Sequence, residues 1–202
     1  MTGLRERKRL RTMQTIAAVA LELFDRHGFQ GTTIPQIAEA AEVSPRTVSA
    51  YFPHKEDLAF PDSEAAFGSL EQRLRERPDG ETTTAALRGW IEYWVNEQAG
   101  QDEDVRMRRR VIDADEGLRA YERRLMLRAE DCIAEAIARD LDVAADDLEP
   151  RLAAAATITV FQLLGEALEP TDPRQLDAVL AVVDRALLFI DAGIRALRSA
   201  KA

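Results

Sequence analysis

The segment VSPRTVSAYFPHK, residues 43–55, crowds Ser44, Thr47, Ser49 and Tyr51 around Arg46 and ends on Lys55, in a chain whose formal net charge is −9. Donors at this density suit a surface of acceptor oxygens. A guanidinium is a planar fork that can pair with two guanine acceptors at once, contributing about 1–3 kcal/mol of discrimination against other bases. Hydroxyls, an ammonium ion and the free amides of a helix N-terminus suit phosphate oxygens, which position a protein on a duplex without reading its sequence. Arg46 is therefore the candidate base reader, with Pro45 and the Thr47 methyl placed to touch a thymine methyl. Thr33, Tyr51 and Lys55 are candidates for phosphate, and Ser49 shares the face of Arg46 that Val43, Val48 and Phe52 leave free.

The elements that must present these groups are helical. Ile16, Val19, Ala20, Leu23 and Phe24 recur at helical spacing, predicting a helix over 4–27 that ends at Gly28. Thr33-Ile34-Pro35-Gln36 reads as a capping box opening a short helix with Ile34, Ile37, Ala38 and Ala41 on its apolar side. A tight turn at Glu42-Val43 follows. Ser44 caps the next helix, Pro45 takes its first position and Pro53 closes it. Two short helices joined by a three- to four-residue turn make a helix-turn-helix, whose second helix lies in the major groove in DNA-binding examples. That helix is too short to stand alone, since isolated helices under about 12–15 residues are marginal in water.

Charge is distributed to match. Residues 1–60 carry eight Lys/Arg against seven Asp/Glu, and the remainder carries nineteen against twenty-nine. Arg5, Arg7, Lys8, Arg9 and Arg11 gather in the first eleven residues. A basic end on an acidic body can still meet a polyanion, because the local field guides contact; the bland alternative for this cluster is a solvated face.

The run TIAAVALELFDRHGFQGTTIPQIAEAAEVSPRTVSAYFPHKEDL resembles the DNA-binding domain of the TetR-type transcriptional regulators over about residues 10–58. The resemblance lies in LFDRHGF at the end of the first helix, TT-(x)3-IA-(x)2-A in the second, VSPRT opening the third and YFPHKEDL leading into the fourth. It implies DNA contacts at Thr33, Ser44, Arg46, Thr47, Ser49, Tyr51 and Lys55. It also implies a homodimer on a palindromic double-stranded operator, usually as a repressor that a small-molecule effector releases. Two positions depart from the pattern. Glu42 stands where Gly often supplies a positive φ, and would be strained or need a different turn. His54 stands where Ser often caps the fourth helix.

The rest of the chain matches this family only in helical layout and length. Helices are predicted from Lys55 to about Arg77, interrupted at Pro61, and over roughly 84–98, 103–113, 116–140, 148–168 and 173–198. The fold class expected is all-α, with about nine helices: an N-terminal three-helix DNA-binding domain over 1–55 and a C-terminal bundle over 56–202 for ligand binding and dimerisation. Trp90, Tyr93 and Trp94 form an aromatic face that Phe67, Leu70, Met107, Tyr121 and Phe161 could meet across a bundle interior. The group is either an apolar ligand pocket or plain core. Leu176, Leu180, Val183, Leu187, Ile190, Ile194 and Leu197 follow a 4-3-4-3-4-3 spacing. With Phe161 on the preceding helix, this seam is either the chain's own core or a self-association surface, and the resemblance favours the latter.

Other classes find little support. His27 and His54 both lie in the N-terminal part, and there is no Glu-x-x-His pair, Cys/His zinc set, Gly-rich phosphate loop or serine elbow. No enzyme activity, cofactor or metal is expected. No apolar run approaches the roughly 18 residues of a membrane span, and the basic N-terminus lacks the apolar core of a secretion signal. A single cysteine, Cys132, fits a reducing cytoplasm. The rival reading is a helical interaction protein whose helix-turn-helix no longer binds DNA.

Overall fold

The computed structural model describes residues 3–98, 102–167 and 173–201. Among them are nine α-helices and no strand: α1 Leu4–His27, α2 Ile34–Ala40, α3 Pro45–Tyr51, α4 Ser63–Arg75, α5 Thr83–Gln98, α6 Asp102–Ala114, α7 Glu116–Leu141, α8 Leu148–Ala167 and α9 Pro173–Lys201. A 3-10 turn over Glu56–Ala59 and a turn at Pro61-Asp62 fill the place where the proline was expected to interrupt the fourth helix. The breaks predicted at 99–103 and 165–173 fall largely outside the described residues. No helix among those described is long and apolar enough to cross a membrane.

The chain divides into two compact units, one of residues 1–64 and 103–123, the other of 65–102 and 124–202. The first unit thus has two segments. The cause is packing: Val111, Ile112 and Leu118 of α6 and α7 are buried in the same cluster as Ile16, Ala20, Phe24, Ile37, Val48 and Leu58. Full burial of aliphatic and aromatic side chains of this size contributes about 1.5–3 kcal/mol each.

Local chemistry sets the ends of the first-unit helices. Gly28 takes φ 75° and its N–H closes on the Phe24 carbonyl at 2.9 Å. Both halves of the capping box form at α2: Thr33 accepts from the Gln36 amide, and Gln36 Oε1 accepts from the Thr33 N–H at 2.8 Å. The turn to α3 is a Schellman motif, with Val43 N–H on the Ala38 carbonyl at 2.9 Å and Glu42 N–H on the Glu39 carbonyl at 3.1 Å. Glu42 occupies the left-handed position at φ 55°. Ser44 Oγ then accepts the Thr47 amide at 3.0 Å and opens α3.

The second unit is built on α5, α8, α9 and the long part of α7, with Leu70 and Leu74 of α4 in its core. Polar ties fix the register of α5. Arg77 pairs with Asp140 of α7, whose Oδ2 also accepts the Thr83 amide at 2.8 Å. On α9, Asp191 accepts from Thr84 at 2.9 Å and Asp184 accepts from Arg88 Nε at 2.7 Å. Cys132 is half-buried, and burial pushes its thiol above the usual range.

Four residues of the α9 seam face inward. Val183, at 0% exposure, joins Leu187, Ile190 and Ile194 in the core against Ala154 and Ile158 of α8. These four are buried within the chain, and Phe161, partly buried, packs on the same cluster. Leu180 is half-buried, and the Leu176 side chain lies outside the described set. Apolar groups that face solvent are Val182, Leu188 and Phe189, each next to a buried seam residue, and the seam's own Leu197 on α9, with Leu148 and Leu152 on α8. Heptad spacing marks which side chains share a face, not which partner covers that face.

Asp140 is the acceptor shared by a nearly buried guanidinium and a helix-start amide. Replacing it by Asn leaves the Arg77 charge uncompensated, and the chain should lose about 3 kcal/mol in urea denaturation. A loss under about 0.5 kcal/mol would show that Thr83 and the Ala136 carbonyl suffice for Arg77.

Candidate nucleic-acid interface

The α3 helix is a seven-residue rod held at three points. Ser44 caps its start, Val48 is fully buried beneath it, and Phe52, with its N–H on the Val48 carbonyl at 2.9 Å, buries its end. With one side anchored, Ser44, Pro45, Arg46, Ser49 and Ala50 stand exposed on the other. Arg46 has no ion pair among the described residues, so its guanidinium is available. Thr47 is half-buried, and its hydroxyl lies 2.8 Å from that of Ser44, within the cap. Ala50, one helical turn after Arg46, was not among the residues anticipated. A lone Ala carries no sequence signal, and only the orientation of α3 brings it to the surface.

Cations from α1 flank this helix. The Arg9 guanidinium lies 5.8 Å from the Tyr51 ring centroid, within cation–π range. A groove of about 710 Å³ is lined by Arg7, Lys8 and Arg11 together with Thr12, Thr15, Ala41 and Val43. The N-terminal cluster thus borders the α2–α3 turn on one side and the end of α3 on the other. Thr33 is exposed, with its hydroxyl engaged by Gln36 at 2.8 Å. Lys55 is half-buried, and its Nζ donates to the Phe29 carbonyl at 2.5 Å. Burial lowers its pKa from the ordinary lysine value, with Glu56 and Asp115 acting in the opposite direction. Asp57 Oδ2 accepts the His54 amide at 2.8 Å, the return half of a capping box, and the Asp57 N–H closes on the His54 carbonyl at 3.2 Å where a Ser side chain would otherwise accept.

A capped helix pair, an exposed arginine and a cationic border match a known family of sequences. Residues 16–60 match the family model described as bacterial regulatory proteins, tetR family, and residues 81–194 match that of the MftR C-terminal domain. Among curated relatives, the transcriptional regulator TcmR of Streptomyces glaucescens is 35% identical over 173 residues, covering 81% of this chain and 74% of that one. This chain belongs to the TetR family. It is a DNA-binding transcriptional regulator.

A second relative, the putative mycofactocin biosynthesis regulator MftR of Mycobacterium tuberculosis, is 28% identical over 162 residues, covering 80% of this regulator and 79% of MftR. Solved structures agree in fold. SmeT in its triclosan complex superposes with TM-score 0.60 at 21% identity, covering 91% of each chain. Thermus thermophilus FadR in complex with lauroyl-CoA gives 0.55 at 22% identity, covering 88% of this chain and 92% of that one.

In the regulator's second unit the aromatic residues of α5 form a linked group. Both the Trp90 and Trp94 indoles donate to Ser69 Oγ, at 2.9 and 3.0 Å, and Trp90 lies 6.1 Å from the Phe161 ring. Tyr93 is 55% exposed at the edge of a groove of about 460 Å³, where Trp90 meets Gln72, Arg73 and Glu76. Phe67 lies under the Arg128 guanidinium at 4.7 Å. The remaining expected pocket residues are placed otherwise. Leu70 is core. Met107 packs on the first unit's core, and Tyr121 stacks on Phe60 at 5.6 Å and hydrogen-bonds Asp57. The arginine run of α6 is neutralised within the first unit, Arg108 by Asp62, Arg109 by Asp113 and Glu122, and Arg110 by Asp25.

Left-handed backbone costs a residue with a Cβ about 1–2 kcal/mol. Glu42→Gly should therefore stabilise the regulator by about 1 kcal/mol, read as a higher urea midpoint at unchanged slope. It should also tighten DNA binding by removing a carboxylate three residues before α3. Lower stability would mean that Glu42 is held by a favourable contact.

Proposed function

We propose that the regulator is a homodimeric repressor that reads a palindromic operator with α3 in the major groove and leaves it when a small, largely apolar aromatic effector binds the second unit. The observation carrying this reading is the fixed outward face of α3: Arg46 stands with Pro45, Ser49 and Ala50, above a buried Val48 and beside the cations of α1. Arg46 reads a base pair, Ala50 and Pro45 touch thymine methyls or exclude bulk, and Tyr51 with the α1 cations follows the phosphates.

Dimerisation supplies the second reading helix. Leu188 and Phe189 of α9, 62% and 78% exposed, and Leu152 of α8, 59% exposed, are large apolar groups facing solvent on the two helices that pack together in the second unit. A second copy covering that face would form a four-helix interface. For the effector, the tryptophan pair and Tyr93 offer aromatic surface, and Gln72, Arg73 and Glu76 offer polar groups at the rim. This combination suits a flat ring system bearing polar substituents.

Selection of bound DNA from a random pool should return an inverted repeat whose half-sites lie about 34–36 Å apart or a multiple of that. Arg46→Ala should relax the motif at one position in each half-site. A motif unchanged by Arg46→Ala would remove that residue's reading role, and a pool returning no motif would favour the interaction-protein reading. Leu188→Asp combined with Phe189→Asp should turn a dimer into a monomer in light scattering at micromolar concentration. A wild-type monomer there would end the dimer proposal.

A further inference from the structure

We propose that the α4–α5 groove of the second unit is a slot for a planar fused-ring compound bearing no anionic group, held over Gly89 between the Tyr93 ring and the Arg73 guanidinium. The proposal deepens the effector reading of this groove and rests on it. Gly89 lies in the interior of α5, where glycine loses more chain freedom on folding than Ala would. Two structural demands ordinarily justify such a glycine, a positive φ or the close approach of another backbone. Neither holds here. The positive-φ glycines of the described residues are Gly28 and Gly80. Beyond the helix backbone and its chain neighbours, a Cβ on Gly89 would meet only Arg73 Nη2, at 3.9 Å. The glycine therefore leaves open space on the α5 side of the groove, whose volume of about 460 Å³ suits a small ligand.

The walls around that space are set in advance. Tyr93, one turn further along α5, lines the groove with most of its ring in water. The Trp90 and Trp94 indoles both donate to Ser69 Oγ, at 2.9 and 3.0 Å, so neither ring is free to collapse into the slot. From α4, both Nη atoms of Arg73 donate to the Glu81 carboxylate, at 2.7 and 2.5 Å. Glu81 is itself fixed by a turn, its N–H on the Pro78 carbonyl at 3.1 Å with Gly80 at φ 84°. The Arg73 bond holds the Glu81 carboxyl below the usual carboxylate range, so the pair stays ionised at neutral pH. With its edge engaged, the guanidinium offers a ring its flat face. Its charge is also cancelled, while Glu76, which accepts from Gln72 at 3.0 Å, adds a further carboxylate to the lining. A ligand carboxylate or phosphate would meet net negative charge there, whereas an uncharged ring meets an aromatic side chain and a planar cation.

Trp90 and Trp94 are the chain's only tryptophans, so intrinsic emission reports on this site. The experiment titrates the full-length regulator with acridone, a neutral flat fused-ring compound, and with anthracene carboxylate, an anion of similar size, following tryptophan emission. The titrations are repeated on Gly89→Leu and Tyr93→Ala, and acridone is added to the complex with DNA recovered from the pool. Acridone should quench the wild-type emission saturably, and the carboxylate should bind about tenfold more weakly. Gly89→Leu fills the slot and should weaken acridone binding about tenfold while raising the urea midpoint, since Leu favours a helix interior. A glycine needed only for packing would give a lower midpoint. Tyr93→Ala, which removes one wall and leaves the glycine, should weaken acridone about tenfold and carries the comparison if Gly89→Leu does not fold. No saturable response to acridone overturns the proposal, as does a carboxylate that binds as tightly, or acridone binding undiminished by Gly89→Leu. If acridone binds wild type, is blocked by Gly89→Leu and still leaves the DNA complex intact, the slot stands and the effector-release reading fails.

Discussion

Everything the first unit does depends on holding a seven-residue helix still. α3 has too few internal hydrogen bonds to persist by itself, so its order must come from its ends and its underside. The Ser44 cap satisfies an amide at the start, Val48 is driven out of water beneath, and Phe52 buries the exit. Because those three constraints use one side of the rod, Pro45, Arg46, Ser49 and Ala50 are forced to the other. The exposed face here follows from stability geometry, and a looser anchor at Val48 would misplace Arg46 without touching it.

The constraint propagates outward. The turn before α3 is fixed by two backbone bonds that demand a left-handed residue, and the chain accepts that strain at Glu42. The loop before α2 is fixed by Gly28, Gly31 and Thr32 against the end of α1. Residues 103–123 complete the same core with Val111, Ile112 and Leu118 and surround it with ion pairs to Asp25 and Asp62. α3 is thus supported by sequence neighbours and by a segment about sixty residues further on.

The second unit separates two kinds of apolar surface on one helix. On α9, Val183, Leu187, Ile190 and Ile194 bind the chain to itself, while Val182, Leu188 and Phe189 remain in water. A helix apolar on both sides needs neighbours on both. The aromatic residues of α5 divide similarly: Trp90 and Trp94 are tied to Ser69 and Phe161, and Tyr93 stays exposed at the groove rim.

Much of this was legible in the residues alone. Caps, prolines and glycines act within a few residues, so Thr33, Ser44, Pro45 and Gly28 marked the helix ends where the structure has them. Periodicity identified the helices, and the motifs from LFDRHGF to YFPHKEDL carried the family. What the sequence could not supply was the partner of each face. On the α9 seam Val183, Leu187, Ile190 and Ile194 are core whereas Leu197 is exposed; Met107 and Tyr121 were grouped with the α5 aromatics and pack in the other unit; Lys55, a phosphate candidate, also bonds the Phe29 carbonyl. In each case local chemistry determined what a side chain can do. Long-range packing decided what it meets, because two surfaces distant in sequence compete for the same apolar or charged group, and only their arrangement in space settles which one reaches it.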